Sequence, residues 1–111
     1  MDIRKIRDGD ETPDEKLLYD LDETETLQLG YVSVDPGEST TLRAHPAEEE
    51  IYLILEGEAR LLLGNEERII RKGETVYVPR NTDHFMTCIS PNKLEYLYIA
   101  NYPDLPGKAD R

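Results

Sequence analysis

The feature that most limits how this chain can fold is its punctuation. From residue 27 onward, apolar runs of only four to nine residues are separated by compact turn signals. These are Asp35-Pro36-Gly37, Gly57, Gly64-Asn65, Lys72-Gly73, Pro79-Arg80-Asn81 and Ser90-Pro91-Asn92. Gly and Asn tolerate the left-handed backbone that tight turns need and proline fixes its own φ, so each cluster ends an element. An amphipathic helix, which needs roughly ten or more uninterrupted residues, has no room between them. Strands do fit: Leu27–Val34, Thr40–His45, Glu50–Glu56, Glu58–Leu63, Glu67–Arg71, Thr75–Val78, His84–Ile89 and Leu94–Tyr102 are all rich in β-formers. Many short strands without a long helix predict an all-β closed barrel or sandwich.

Ahead of this pattern, Ile3, Ile6 and the stretch Leu17 to Leu21 are short apolar segments set among polar turns. The expected organisation is an N-terminal arm with short strands over 1–26, a barrel over 27–102 and a surface tail over 103–111. At 111 residues the chain fits one domain with one core. A chain of this length buries roughly two-thirds of its unfolded surface, enough to fold without disulfide or metal staples. A metal, if held, would therefore serve function more than folding.

Charge narrows the partners. Thirteen Lys and Arg stand against 24 Asp and Glu, a net of -11. Nucleic acid and anionic membranes are bound through basic surfaces that release counterions, so neither is an expected partner. The acidic runs Asp8–Glu15 and Asp20–Glu25 fit a solvated face or arm. Cys88, the single cysteine, has no partner for an intramolecular disulfide, and the chain has no apolar run of signal-peptide or membrane-span length. A cytoplasmic protein is the expectation.

Alternate side chains of a strand share a face. Arg43 and His45 therefore point one way, Glu50, Tyr52 and Ile54 share a face on the next strand, and His84, Met86 and Cys88 share one later. A turn at Pro46 brings His45 beside Glu50. If the strands close on one another, two imidazoles and a carboxylate meet in a mostly apolar interior, a donor set suited to a metal ion.

At these residues the sequence resembles the cupin family. Its first motif runs Gly, five residues, His-x-His, three or four residues, Glu, six residues, Gly, and Gly37, Arg43, His45, Glu50 and Gly57 stand at that spacing. Its second runs Gly, five residues, Pro-x-Gly, two residues, His, three residues, Asn, and is answered by Gly73, Pro79, Asn81, His84 and Cys88. The resemblance implies a double-stranded β-helix or jelly-roll barrel. It also implies one divalent transition metal (Fe, Mn, Ni, Zn or Cu) on His45, Glu50 and His84.

Three positions depart from the pattern: Arg43 replaces a histidine ligand, Asn81 a glycine and Cys88 an asparagine. Asn81 is a mild change, because Asn also visits the left-handed region. Arg43 is not, because a guanidinium has no lone pair to give a cation. Arg43 could grip a carboxylate or phosphate of a ligand, or pair with Glu50; Glu48 or Glu49 could offset its charge. Cys88, Tyr52, Tyr96 and Tyr98 are candidate ligand contacts, with inert core packing as the alternative for each.

Two functions follow from the resemblance. One is a metal-dependent cupin enzyme acting on a small carboxylated or hydroxylated molecule, with isomerase, lyase, decarboxylase and dioxygenase chemistry all open. The other is a metal-free ligand-binding or sensor cupin without turnover, in which His45, Glu50 and His84 form only a hydrogen-bonded network. Cupins of this size also pair as homodimers, and Asp2 to Arg7 could supply an exchanged N-terminal strand.

Overall fold

The computed structural model describes residues 1–111. Its strands are β1 (Glu15–Tyr19), β2 (Leu27–Val34), β3 (Glu49–Glu56), β4 (Glu58–Leu63), β5 (Glu66–Arg71), β6 (Thr75–Val78), β7 (His84–Cys88) and β8 (Leu94–Asn101), followed by one 3-10 turn at Lys108–Asp110. β2, β4 and β6 fall where the turn signals place them, and the other expected boundaries from residue 50 onward move by one residue. No helix is long and apolar enough to cross a membrane.

The strands form two sheets, β1-β2-β8-β3-β6 and β5-β4-β7. Every pairing is antiparallel. Alternation sets the faces: Tyr52, Ile54, Val78 and Tyr96 of the larger sheet and Ala59, Leu61, Ile70, Met86 and Cys88 of the smaller point into one shared core. The backbone ladders do not join the sheets into one closed barrel. The structure thus has the expected all-β architecture, as two open sheets around a core, without the ladder closure of a jelly-roll barrel.

The expected strand Thr40–His45 also fails to form. This segment follows β7 by scattered bonds, with isolated bridges at Ser39–Thr87 and Arg43–His84. The Met86 amide bonds to the Thr40 hydroxyl, which competes with the regular backbone ladder. With Leu42 55% exposed, no buried apolar face repays a regular strand. The bridge still fixes Arg43 opposite His84 through two backbone bonds of 3.1 and 2.9 Å.

The N-terminal residues fold back on their own sheet instead of forming a strand. Arg4 donates to the Leu18 carbonyl at 2.6 Å and pairs with Glu23, while Arg7 pairs with Glu95. At the other end, Arg111 donates to the carbonyls of Leu21 and Thr24, tying the tail to the β1–β2 connection.

Candidate metal centre

Three chain segments build the centre. Glu50 is the second residue of β3 and His84 opens β7, both on inward positions and both buried. His45 lies on the irregular segment, whose carbonyl accepts the Asn81 amide at 2.8 Å. Asn81 sits at φ 58°, the left-handed backbone expected from its motif position. One donor atom from each of His45, Glu50 and His84 lies within 4.8 Å of the others, and the two imidazole centroids are 5.3 Å apart.

The hydrogen bonds orient the donors. His84 Nδ1 lies 2.9 Å from the Thr82 carbonyl, which can only accept, so Nδ1 carries the proton. Its Nε2 then faces Glu50 Oε2 at 3.5 Å. The Tyr52 hydroxyl donates to the same Glu50 oxygen at 2.8 Å. A neutral imidazole lone pair aimed at a buried carboxylate is unfavourable unless a positive charge sits between them. A proton on Nε2 or a metal ion meets that need, and an imidazole held by its other nitrogen is the form in which histidine ligates. The donor set therefore fits a divalent ion.

Titration follows the same logic. Burial would push the Glu50 carboxyl up, but hydrogen bonds with His84 and Tyr52 outweigh it and hold the group below its ordinary range. Burial would lower His84, but Glu50 and the Thr82 carbonyl outweigh it and raise the imidazole. His45 is lowered, chiefly by burial. Glu48 is pushed up to about 7, first by burial and then by the Glu50 charge.

Glu48 yields a pH prediction. Its folded pKa of about 7 exceeds the ordinary 4.5, so its contribution to stability is complete below about 4.5 and is lost as pH rises through about 7. Melting of metal-free protein should therefore show Glu48→Gln gaining on the unsubstituted chain from pH 5 to pH 8. A constant difference across that window would refute the assignment.

The donors lie on a cavity of about 600 Å³ between the inner face of the larger sheet and the irregular segment before β3, also lined by Arg43, Glu48, Tyr52, Tyr96 and Tyr98. The Tyr52 and Tyr96 ring centroids are 5.2 Å apart, and burial pushes both phenols well above their ordinary range. Arg43 is an exposed residue on the wall, and Glu50 is engaged by Tyr52 and His84 in its place. Glu49 turns away, accepting from Asn101 and Tyr77. Cys88 is not on the cavity: it is 1% exposed in the core, its thiol near Ser90 and Asn92.

Sequence reasoning missed two contributors. Thr82 acts through its carbonyl, which no side-chain pattern signals. Gly30 gives a visible signal, a lone glycine inside a strand, which marks close approach. A methyl group built there would overlap the Tyr98 ring, which crosses from β8 over β2. Gly30→Ala should cost about 1–2 kcal/mol by overpacking, and in a Tyr98→Ala background the same change should be nearly neutral. Equal costs in the two backgrounds, measured by denaturant unfolding, would disprove the coupling.

Comparison with known proteins agrees with this geometry. A cupin-domain family model matches residues 30–100. An uncharacterised protein of Methanocaldococcus jannaschii is 40% identical over 75 residues, covering 68% of this chain and 59% of that one. The mannose-1-phosphate guanylyltransferase ManC of Salmonella typhimurium is 27% identical over 77 residues, covering 68% of this chain and 16% of that protein. The chain thus spans little more than half of one curated relative and a small part of the other. Among solved structures, a protein of Thermus thermophilus superposes with a TM-score of 0.77 at 20% identity, covering 92% of this chain and 98% of that one. A family match over most of the chain, on the two-sheet architecture that carries the His-Glu-His cluster, shows that the chain belongs to the cupin family.

Proposed function

We propose that this cupin holds one divalent transition metal on His45, Glu50 and His84 and acts on a small hydroxylated or carboxylated molecule bound in the cavity beside them. In this reading the two sheets are the two layers of a cupin barrel. The observation that carries it is the committed Nδ1 of His84, which leaves Nε2 facing Glu50 at 3.5 Å. A divalent ion there would supply Lewis-acid polarisation of a substrate oxygen or a more acidic bound water.

The chain's own residues do the rest. Tyr52 holds Glu50 in place through its hydroxyl. Tyr96 and Tyr98 offer phenols that stay protonated, and so can donate to substrate oxygens, because burial raises both. Arg43, on the wall opposite His84, provides a two-pronged contact for a carboxylate or phosphate. A hydroxyl-rich anion fits this combination, and mannose 1-phosphate, named in a relative that shares part of this chain, belongs to that class.

The test is elemental analysis of untagged protein, followed by calorimetric titration of sugar phosphates and hydroxy acids into loaded and stripped samples. Near-stoichiometric metal, with ligand binding that depends on it, is expected. A chain that takes up no divalent metal at saturating concentration would overturn the reading.

A further inference from the structure

The two imidazoles of the centre are held in different ways. His84 sits on β7 with its side chain 6% exposed and its Nδ1 on the Thr82 carbonyl. His45 lies outside any strand, on the segment before β3, and its side chain is 25% exposed. Its backbone is tied through the carbonyl that accepts the Asn81 amide, a bond that leaves the ring free to turn. A ring that must be ordered by its ion binds that ion more weakly than one already held.

Glu48 supplies the missing hold. The bend at Pro46-Ala47 turns the chain so that residues 45 and 48 meet, and Glu48 Oε1 stands 3.3 Å from His45 Nδ1. The carboxylate is shielded, with 12% of its side chain exposed, and its ion-pair partner is His45, not a lysine or arginine. From just past the end of β8 the Tyr102 hydroxyl faces the same carboxylate, and the Tyr102 amide is fixed on the Thr26 carbonyl at 2.9 Å. Glu48 itself lies outside the set of donors that come within 4.8 Å of one another. Its place is therefore beside a ligand and not among the ligands.

We propose that Glu48 is a positioning residue, whose carboxylate keeps the His45 proton on Nδ1 and so aims the Nε2 lone pair at Glu50 and His84. An ionised carboxylate can only accept, so the ring nitrogen that faces it must donate. Glu48 thus does for His45 what the Thr82 carbonyl does for His84. A carboxylate behind an imidazole also makes it a more basic ligand. That consequence rests on the metal reading above, whereas the place of the proton on the ring does not. A shielded carboxylate close to the Glu50 charge is unfavourable for the fold alone, and fixing a ligand on an irregular segment is a role that an apolar side chain could not fill.

Because the chain has only two histidines, proton–nitrogen correlation spectra of the metal-free protein resolve both rings. At pH 8 the unsubstituted chain should show His45 protonated at Nδ1 and bare at Nε2. In Glu48→Ala that preference should vanish at His45 while the His84 signals stay in place, and zinc affinity, measured by competition with a chelator, should fall about 10–100-fold. Glu48→Gln, whose amide oxygen accepts the same proton, should restore the tautomer and most of the affinity. His45 protonated at Nε2 in the unsubstituted chain would overturn the proposal, and that observation needs no variant to fold. Equal loss of zinc affinity in Glu48→Ala and Glu48→Gln would overturn it in favour of direct ligation by Glu48. The expected tautomers in a chain that takes up no zinc would support the positioning of His45 and sink the metal reading.

Discussion

Replacing His84 with alanine is expected to strip the protein of metal. Structural zinc sites with four protein ligands hold their ion by roughly 10–16 kcal/mol, or about 2.5–4 kcal/mol per ligand, so losing one of three should weaken binding on the order of several hundredfold. The loss should be at least the average ligand's, because His84 is pre-oriented by its bond to the Thr82 carbonyl at 2.9 Å. It also leaves Glu50, 7% exposed, with Tyr52 as its remaining hydrogen-bond partner. The Glu50 carboxyl should then titrate higher, since the partner that lowers it most is gone.

Metal content of the native chain, His84→Ala and Arg43→His, measured side by side from untagged protein, checks this result. Arg43→His should tighten binding, because Arg43 is bridged directly opposite His84 and a histidine there adds a donor while removing a positive charge. Metal retained by His84→Ala at the native level would sink the assignment. Metal found only in Arg43→His would mean that the native cavity binds its ligand without an ion, through Arg43.

One segment and the question of closure show where the limits of the sequence reading lie. Strand identity after residue 50 was legible because each run ends at a residue with special backbone needs, such as Gly57 at φ 83° or Asn81 at φ 58°. Thr40–His45 has the composition of a strand, yet whether it joins a ladder depends on what β7 offers, and the Thr40 hydroxyl takes up a bond that a regular ladder would use. Closure was not legible for a related reason, since it depends on pairings between strands far apart in the chain. The site divides in the same way. His45, Glu50 and His84 could be named from spacing, because motif spacing encodes strand and turn lengths. Cys88 shares the inward face of His84 but lies four residues deeper, in the core, so a common face did not mean a common cavity.

The largest loss of stability is expected at Gly57. This residue carries the chain from β3 in the larger sheet to β4 in the smaller, and it does so at φ 83°, where a side chain costs about 1–2 kcal/mol. A methyl group there would also stand 2.7 Å from the Lys93 carbonyl, 2.9 Å from Ser90 Oγ and 3.0 Å from Leu94 Cα. Two of these atoms are backbone, and the third accepts the Glu58 amide at 3.0 Å, so none can yield cheaply. Lys93 and Leu94 lie where the chain passes back from β7 to β8, that is, from the smaller sheet to the larger. Both crossings thus pack at one corner, and they fix how β3, carrying Glu50, sits against β7, carrying His84. Gly57→Ala should therefore cost about 2–5 kcal/mol, strain and overpacking together. It should also weaken metal binding at a site that lies at the other end of the same two strands. Urea unfolding and metal titration of the variant test both parts. A loss of stability below about 1 kcal/mol would show that the corner can relax, and full loss of stability with unchanged metal affinity would show that the corner does not set the distance between Glu50 and His84.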